Sequence, residues 1–264
     1  MILWCDGPHD PAEQMRRDAL LLAGAEAGAE PVLRLFRFAP FGITIGRGQD
    51  PARELDLDRC ARDRVQVATR PTGGRAIFHA DEWTYSLSAP LADGAWGGSP
   101  AEAFARASRC LLASLVRLGI PATLAPRGGD RPPRPQGREG PAPPCFASTA
   151  RHEIVIAGRK LVGSAQRRTG RGLLQQGSVL IGPGHLRLAD YLAAPAAHRE
   201  AVRGALARAT AGAGPWLGPD PPLERWADGL AAVLPPCTRR LSGAAGAALL
   251  TAAQDGSYTR ASSN

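Results

Sequence analysis

Lysine is nearly absent from this chain. Lysine and arginine together number 32 in 264 residues, against 24 aspartates and glutamates, and Lys160 is the only lysine. A coding bias toward arginine accounts for this ratio, so the one retained lysine is a candidate for a role that a guanidinium cannot fill. A compact ammonium can lose its proton or direct a single charge. Chance survival of one lysine is the alternative reading.

Long apolar runs are also missing from the sequence. No segment approaches the roughly 18 apolar residues that a membrane-spanning helix needs. The N-terminus, with Asp6, His9 and Asp10, lacks the basic-then-apolar order of a secretory signal. We therefore expect a cytoplasmic protein without a membrane partner, and a monomer is the default expectation.

Paired cysteines are absent as well. The five cysteines are Cys5, Cys60, Cys110, Cys145 and Cys237. Their odd number and the lack of any C-x-x-C pair indicate neither a disulfide framework nor a zinc site. We therefore predict that the protein binds no metal, and we also predict no cofactor. Cys145 stands out because it directly follows the Pro-, Gly- and Arg-rich segment 126–144, which we predict to be a flexible surface loop. It is a candidate nucleophile, with a small buried hydrophobe as the alternative.

Aromatic residues make up only 5% of the chain, and its arginines are scattered. Nucleic-acid readers usually cluster basic residues and interleave aromatics, so we predict no nucleic-acid partner. The formal net charge of +8 instead suits acidic protein partners.

The order of predicted elements indicates the fold class. Asp10 and Ser99 each precede a proline and stand three residues before a glutamate, which predicts two capping-box helix starts. Predicted strands lie at 32–38, 43–45, 65–70, 76–79, 83–88, 153–157, 161–165 and 173–181. Further helices are predicted near 196–210, 222–234 and 242–253. This order predicts an α+β domain with a mixed, largely antiparallel sheet flanked by helices. We expect a core over residues 1–185 and a C-terminal helical extension, 186–264, packed on it.

Two glycine-containing segments are candidates for binding a ligand. Residues 70–76 (RPTGGRA) follow a predicted strand, and their Gly-Gly turn can aim backbone N–H groups at an anion, although such a pair is more often only a turn. Residues 158–166 (GRKLVGSAQ) predict a hairpin that places Lys160 at a strand start, beside small residues that let a ligand approach. A solvated turn lysine is the alternative. His79 and His152 lie in or near these segments and are second-rank candidates for a base.

Together these segments resemble the lipoate/octanoate protein transferase and lipoate–protein ligase family, whose fold is shared with biotin–protein ligases. Residues 70–79 resemble the family's R-x-S/T-G-G-G/R-A-x-x-H acyl-binding loop, and residues 153–166 resemble its lysine motif. Residues 14–22, 46–49 and 174–178 also fall in the family order, and the match runs from about residue 10 to 182. One departure is Gln176, where a histidine is common in the family.

The Pro144-Cys145-Phe146 step resembles the cysteine-dependent octanoyl-acyl-carrier-protein:protein N-octanoyltransferases. The resemblance implies a biotin/lipoate ligase-like catalytic domain that moves an octanoyl or lipoyl group from acyl carrier protein, through a thioester on Cys145, to a lysine of an apo lipoyl domain or glycine-cleavage H protein. Lys160 is then expected to hold the acyl carbonyl, backbone N–H groups near Gly73 and Gly74 to stabilise the oxyanion, and an apolar tunnel to take the chain. The expected substrate-binding residues are Arg70, Thr72, Gly73, Gly74, Arg75, Ala76, His79, Gly163, Ser164, Ala165 and Gln166.

Other functions stay open at this point. An ATP-dependent lipoate ligase would work through an acyl-adenylate, with Cys145 incidental, but such enzymes usually carry an Asn-Asp pair before the lysine motif and an added domain. An amidotransferase between carrier domains differs only in its donor. A biotin ligase fits less well because its glycine loop has a G-R-G-R type of pattern. A non-catalytic binder of acylated carrier domains would be free to lose Cys145, Lys160 or the Gly-Gly turn.

Overall fold

The computed structural model describes residues 1–125 and 153–254. The strands within these residues are β1 (Ile2–Cys5), β2 (Val32–Phe36), β3 (Gly42–Gly46), β4 (Gln66–Arg70), β5 (Ile77–His79), β6 (Glu82–Pro90), β7 (Thr123–Leu124), β8 (Ile154–Ile156), β9 (Arg159–Arg168), β10 (Gly172–Leu180) and β11 (Arg239–Ser242). The α-helices are α1 (Pro11–Glu26), α2 (Pro51–Glu54), α3 (Leu57–Arg62), α4 (Pro100–Arg117), α5 (Ala196–Ala209), α6 (Gly214–Leu217), α7 (Leu223–Ala231) and α8 (Gly243–Gln254). A 3-10 helix spans Gly184–Tyr191. No helix in these ranges is long and apolar enough to span a membrane.

The two predicted helix starts differ in one detail. At α4 the Ser99 side chain accepts from the Glu102 N–H while Glu102 reaches back to the Ser99 N–H, so the predicted capping box is confirmed. At α1 the Asp10 side chain caps the Glu13 N–H as expected. The Glu13 carboxylate, however, binds Arg16 and Arg17 instead of closing the box, because two guanidinium groups lie one turn further along the helix.

A mixed sheet of eight strands organises the molecule. Its order is β11-β1-β2-β6-β10-β9-β8-β7, and a smaller sheet has the order β4-β3-β5. The pairs of β1 with β2 and with β11 are parallel, and the other neighbours in the large sheet are antiparallel. The predicted α+β class, with a mixed and largely antiparallel sheet flanked by helices, is confirmed.

The two faces of the large sheet differ in polarity. Trp83, Tyr85 and Leu87 of β6 point toward α4 and α7, where Trp83 stacks on Trp226 with ring centroids 5.4 Å apart. The alternate β6 residues point toward α1, as the Ser86 hydroxyl shows by donating to Asp18 of α1 at 2.6 Å. The face beneath α1 is therefore buried but polar, and it forms the floor of the candidate site.

The chain termini contribute more to the sheet than the sequence patterns predicted. The predicted strands omit β1, although Ile2–Cys5 is buried along its whole length between β2 and β11. The segment after residue 185 was expected to be helical, yet it supplies β11, which pairs in parallel with β1. Such pairing joins residues more than 230 positions apart, so local periodicity carries no signal for it. The division at residue 185 stays a prediction.

Candidate active site

Arg70, at the end of β4, holds the glycine loop 71–76 from inside the protein. Its buried guanidinium donates to the Gly73 carbonyl at 3.1 Å and 3.2 Å and to the Arg75 carbonyl at 2.6 Å. It also reaches β3, where it donates to the Thr44 carbonyl at 3.0 Å. One planar cation therefore fixes the loop and ties it to the small sheet.

The turn after β3 supports the same loop from the other side. The Arg47 N–H donates to the Thr72 carbonyl at 3.0 Å, and Gln49 accepts from the Gly46 N–H at 3.0 Å. Gly46 has no room for a side chain, since a Cβ there would lie 2.0 Å from the Gly74 carbonyl oxygen. The structure thus explains the motif at residues 46–49, because these residues contact the glycine loop and support it.

A line of buried polar contacts connects the loop to the core. The Thr72 hydroxyl donates to Gln176 Oε1 at 2.7 Å, and Gln176 Nε2 donates to Asp18 Oδ2 at 2.5 Å. The other oxygen of Asp18 accepts from Arg34 Nη1 at 2.7 Å. Arg34 also donates to Asp6 at 2.8 Å, so this fully buried guanidinium is flanked by two carboxylates. We call Arg34, Asp18, Gln176 and Thr72 the polar relay.

His79 lies in a second buried network. Its Nε2 accepts from the Thr44 hydroxyl at 2.7 Å and its Nδ1 donates to Glu82, a direction consistent with Arg70 donating to Thr44 Oγ1 at 3.1 Å. The ring stacks on Phe38 with centroids 3.8 Å apart. Both ring nitrogens are engaged, so His79 orients Thr44 and, through it, Arg70.

The hairpin that carries Lys160 forms as the sequence predicted. Ala157 and Gly158 both have positive φ angles, which is typical of a two-residue hairpin turn. Lys160 itself is only 3% exposed, and its ammonium donates to Glu153 Oε1 at 2.5 Å. The alternative of a solvated turn lysine is therefore wrong, because the strand turns this side chain inward while Arg159 beside it is exposed.

Helix α1, the small sheet and the polar face of the large sheet surround a pocket of about 380 Å³, including the part that opens to solvent. Its lining combines apolar and polar groups: Met15, Phe38, Thr44, Arg70, Ile77, His79, Thr84, Gly163, Ser164, Ala165, Gln176, Gly177 and Ser178. Five of the expected substrate-binding residues therefore meet here, although they come from three separate strands and 95 positions of sequence.

The remaining expected residues do not line the pocket, and Gly73, Gly74 and Arg75 of the glycine loop are among them. Thr72 sits behind the pocket in the polar relay, and Ala76 packs in the apolar cluster of the small sheet. Gln166 points to the opposite face, where it donates to Gln175 at 3.3 Å. Lys160 is not among the described lining residues. Cys145 and His152 lie outside the described residues.

Several residues that line the pocket were not predicted from the sequence. Thr44 lies in the short strand β3 and Phe38 lies just after β2, and neither carries a motif, so the sequence held no signal for them. Gln176 did carry one, because it stands where the family commonly has histidine. The structure shows its amide bridging Thr72 and Asp18 with its two ends, a geometry in which one atom donates and the other accepts.

The described cysteines differ in burial. Burial and the neighbouring Glu224 carboxylate raise the pKa of Cys5 to about 11, and burial raises the pKa of Cys110 to about 12. Burial and Asp56 also raise the pKa of Cys60. These three thiols are poor sources of thiolate. Cys237 is exposed, between α7 and β11, and it does not line the pocket.

With this geometry established, sequence comparison identifies the class. The sequence model of the lipoyl protein ligase A/B catalytic domain matches residues 10–212, and the chain belongs to this family. An octanoyltransferase LipM of Symbiobacterium thermophilum is 38% identical over 178 residues, covering 67% of this chain and 64% of that protein. One of Moorella thermoacetica is 36% identical, covering 66% and 63%. The chain thus matches somewhat less than two thirds of the length of these relatives.

Solved structures support the fold. A bipartite lipoate protein ligase from Thermoplasma acidophilum superposes with a TM-score of 0.67 at 18% identity, covering 96% of this chain and 91% of that one. A lipoate-protein ligase A bound with ATP gives 0.66 at 18% identity, covering 96% and 94%. The resemblance inferred from the motifs is confirmed, and so is the ligase-like fold that it implied.

The contact between Gly46 and Gly74 yields a matched pair of variants. Gly46→Ala should lower the free energy of unfolding by about 2 kcal/mol, because the backbone carbonyl that meets the new Cβ cannot move without breaking the Arg70 contacts. Gly48→Ala, two residues away, should have little effect, since a Cβ there meets nothing within 4 Å. Urea unfolding of both variants measures the difference, and equal stabilities would show that the loop does not rest on Gly46.

The polar relay predicts an effect of pH on one variant. Gln176→Glu places a second carboxylate against Asp18, so it should destabilise the fold by about 3 kcal/mol near neutral pH. The folded-state pKa of the new carboxyl should be raised, so this loss is largest above that pKa and shrinks as the pH falls and the group is protonated. Gln176→His, which can still donate to Asp18, is the control. Urea unfolding at several pH values checks this, and a pH-independent loss would contradict it.

Proposed function

We propose that this protein is an octanoyltransferase that works through a thioester on Cys145. The donor is an octanoyl or lipoyl thioester on acyl carrier protein, and the acceptor is a lysine of an apo lipoyl domain or glycine-cleavage H protein. The observation that carries this proposal is the convergence of Arg70, which holds the glycine loop, and the lysine-motif strand β9 on one pocket, in a chain that is similar to LipM octanoyltransferases.

The reaction needs two exchanges at the acyl carbon. In the first, the Cys145 thiolate attacks the donor thioester, the new S–C bond forms and the donor's C–S bond breaks, and the donor leaves as a thiol after taking a proton. In the second, the acceptor amine attacks the enzyme thioester, an amide bond forms, and Cys145 is released as the amine loses a proton. A thioester is exchanged for another of similar energy in the first step, so no ATP is required.

Several features of the site support these roles. The pocket wall includes Met15, Phe38 and Ile77, which suit an alkyl chain. Arg70 lies at the polar side of the same pocket, where we place the charge that develops on the acyl oxygen. We assign Lys160 the role of holding the acyl carbonyl, and Glu153 the role of orienting its ammonium.

The thiol assignment is supported by elimination among the described cysteines. Cys5, Cys60 and Cys110 have raised pKa values, and exposed Cys237 lies away from the pocket lining. The net charge of +8 would steer acidic carrier domains toward the protein.

Intact mass spectrometry tests the nucleophile directly. Incubation with octanoyl-acyl carrier protein, without ATP, should add one octanoyl group to the protein, and Cys145→Ala should abolish the adduct because none of the four described thiols lines the pocket. Cys237→Ala removes an exposed thiol as the control and should still be acylated. An adduct on Cys145→Ala would disprove the assignment, and acylation that requires free octanoate with Mg-ATP would favour the ligase mechanism.

The lone lysine gives a second prediction. Lys160→Arg should reduce the octanoyl transfer rate at least tenfold although the charge is kept, because a planar guanidinium cannot occupy the enclosed space of an ammonium beside Glu153. Arg159→Lys makes the reverse exchange at the exposed neighbouring position and should transfer at the wild-type rate. Transfer to an apo lipoyl domain, measured together with urea stability, checks this. Near-normal turnover of Lys160→Arg would remove the argument from the lone lysine.

A further inference from the structure

A groove rich in arginine adjoins the pocket. It is formed by one side of α1, the edge strand β4 and the start of the glycine loop, and its volume is about 940 Å³, including space that opens to solvent. Met15 and Arg70 line both cavities, so the two are contiguous at these side chains. We call it the arginine groove, lined by Arg16, Arg47, Arg70 and Arg167 together with Ala12, Met15, Ala19, Val67, Ala68, Thr69 and Pro71.

The charge of the groove is not balanced within the described part of the chain. Its lining has four arginines and, among the described residues, no carboxylate. Arg16 is paired with Glu13 at 2.6 Å, but Arg47 and Arg167 form no ion pair with any described residue. Among the described residues Arg167 donates to the Pro71 carbonyl at 3.3 Å, a contact that helps to hold its guanidinium in the lining of the groove. Such a surface attracts an anion.

The two proposed substrates differ in charge. The acceptor presents a lysine side chain, whose ammonium four arginines would repel. The donor presents its thioester on a phosphopantetheine arm, which is uncharged near the thioester and carries a phosphate at its far end. Ala12, Ala19 and Val67 offer apolar contacts for the uncharged part, and guanidinium groups are well suited to phosphate. The groove therefore fits the donor.

We propose that the arginine groove receives the phosphopantetheine arm of the acyl donor, with Arg47 and Arg167 binding its phosphate while the acyl chain enters the adjoining pocket. This inference rests on the proposed acyl transfer and adds the recognition of the donor to it. The acceptor lysine then approaches the acyl carbon from a direction other than the groove.

A comparison of two small acyl donors measures the contribution of the phosphate to recognition. Octanoyl-phosphopantetheine and octanoyl-pantetheine differ only in that group, and acylation of the protein can be followed by intact mass without any acceptor. The wild-type protein should be acylated faster by the phosphorylated donor. In Arg47→Gln/Arg167→Gln the ratio of the two second-order rate constants should fall about tenfold, as expected for two partly exposed charge-assisted contacts. Arg109→Gln, an exposed change on α4, should keep the wild-type ratio.

The possible outcomes distinguish a failure of the proposed phosphate binding in the groove from a failure of the proposed acyl transfer. If the wild-type protein reacts equally fast with both donors, or if the double variant keeps the wild-type ratio, the groove does not bind the phosphate and the acyl transfer still stands. If neither donor acylates the wild-type protein or if Cys145→Ala is acylated equally well, the proposed function fails and the inference falls with it. If the ratio is unchanged while the double variant weakens inhibition by ATP, the groove is a nucleotide site and the proposal is wrong.

Discussion

The buried guanidinium of Arg34 is the constraint on which the site depends. A fully buried charge needs opposite charge and hydrogen bonds around it, and Asp6 and Asp18 supply both. Asp18 has a second oxygen to satisfy, and the Gln176 amide occupies it. With its nitrogen held by Asp18, the Gln176 amide directs its oxygen toward Thr72 and accepts the Thr72 hydroxyl hydrogen bond. The position of the glycine loop at the surface is therefore set in part by charge balance in the core.

The pocket exists because packing beneath α1 differs from packing on the opposite face. On the α4 side, large apolar residues such as Trp83 and Trp226 fill the space. On the α1 side, short polar side chains such as Thr84 and Ser178 leave room for the pocket. The same sheet thus supplies a rigid apolar support on one face and a shaped polar cavity on the other.

The site combines a rigid part, the glycine loop, with charged groups that line the pocket and the arginine groove. Arg70 takes part in both, since it orders the glycine loop and lines the pocket as well as the adjoining groove. His79 and Thr44 hold Arg70 from the side of the small sheet. This arrangement keeps a cation fixed at the junction of the pocket and the arginine groove, which is where a thioester carrying an anionic arm would place its reacting carbon.

The sequence by itself determined local features that depend on near neighbours. The Ser99 and Glu102 capping box, the turn at Ala157 and Gly158, and the family motifs were all predicted from a few adjacent residues, because caps and tight turns are decided over three or four positions. The α+β class followed from the order of these elements. Tertiary structure alone decided the pairing of β1 with β11, the inward position of Lys160, and the opposite faces of Gln166 and Gln176. Alternation tells which residues share a face of a strand, but only the packing of distant segments decides what covers that face.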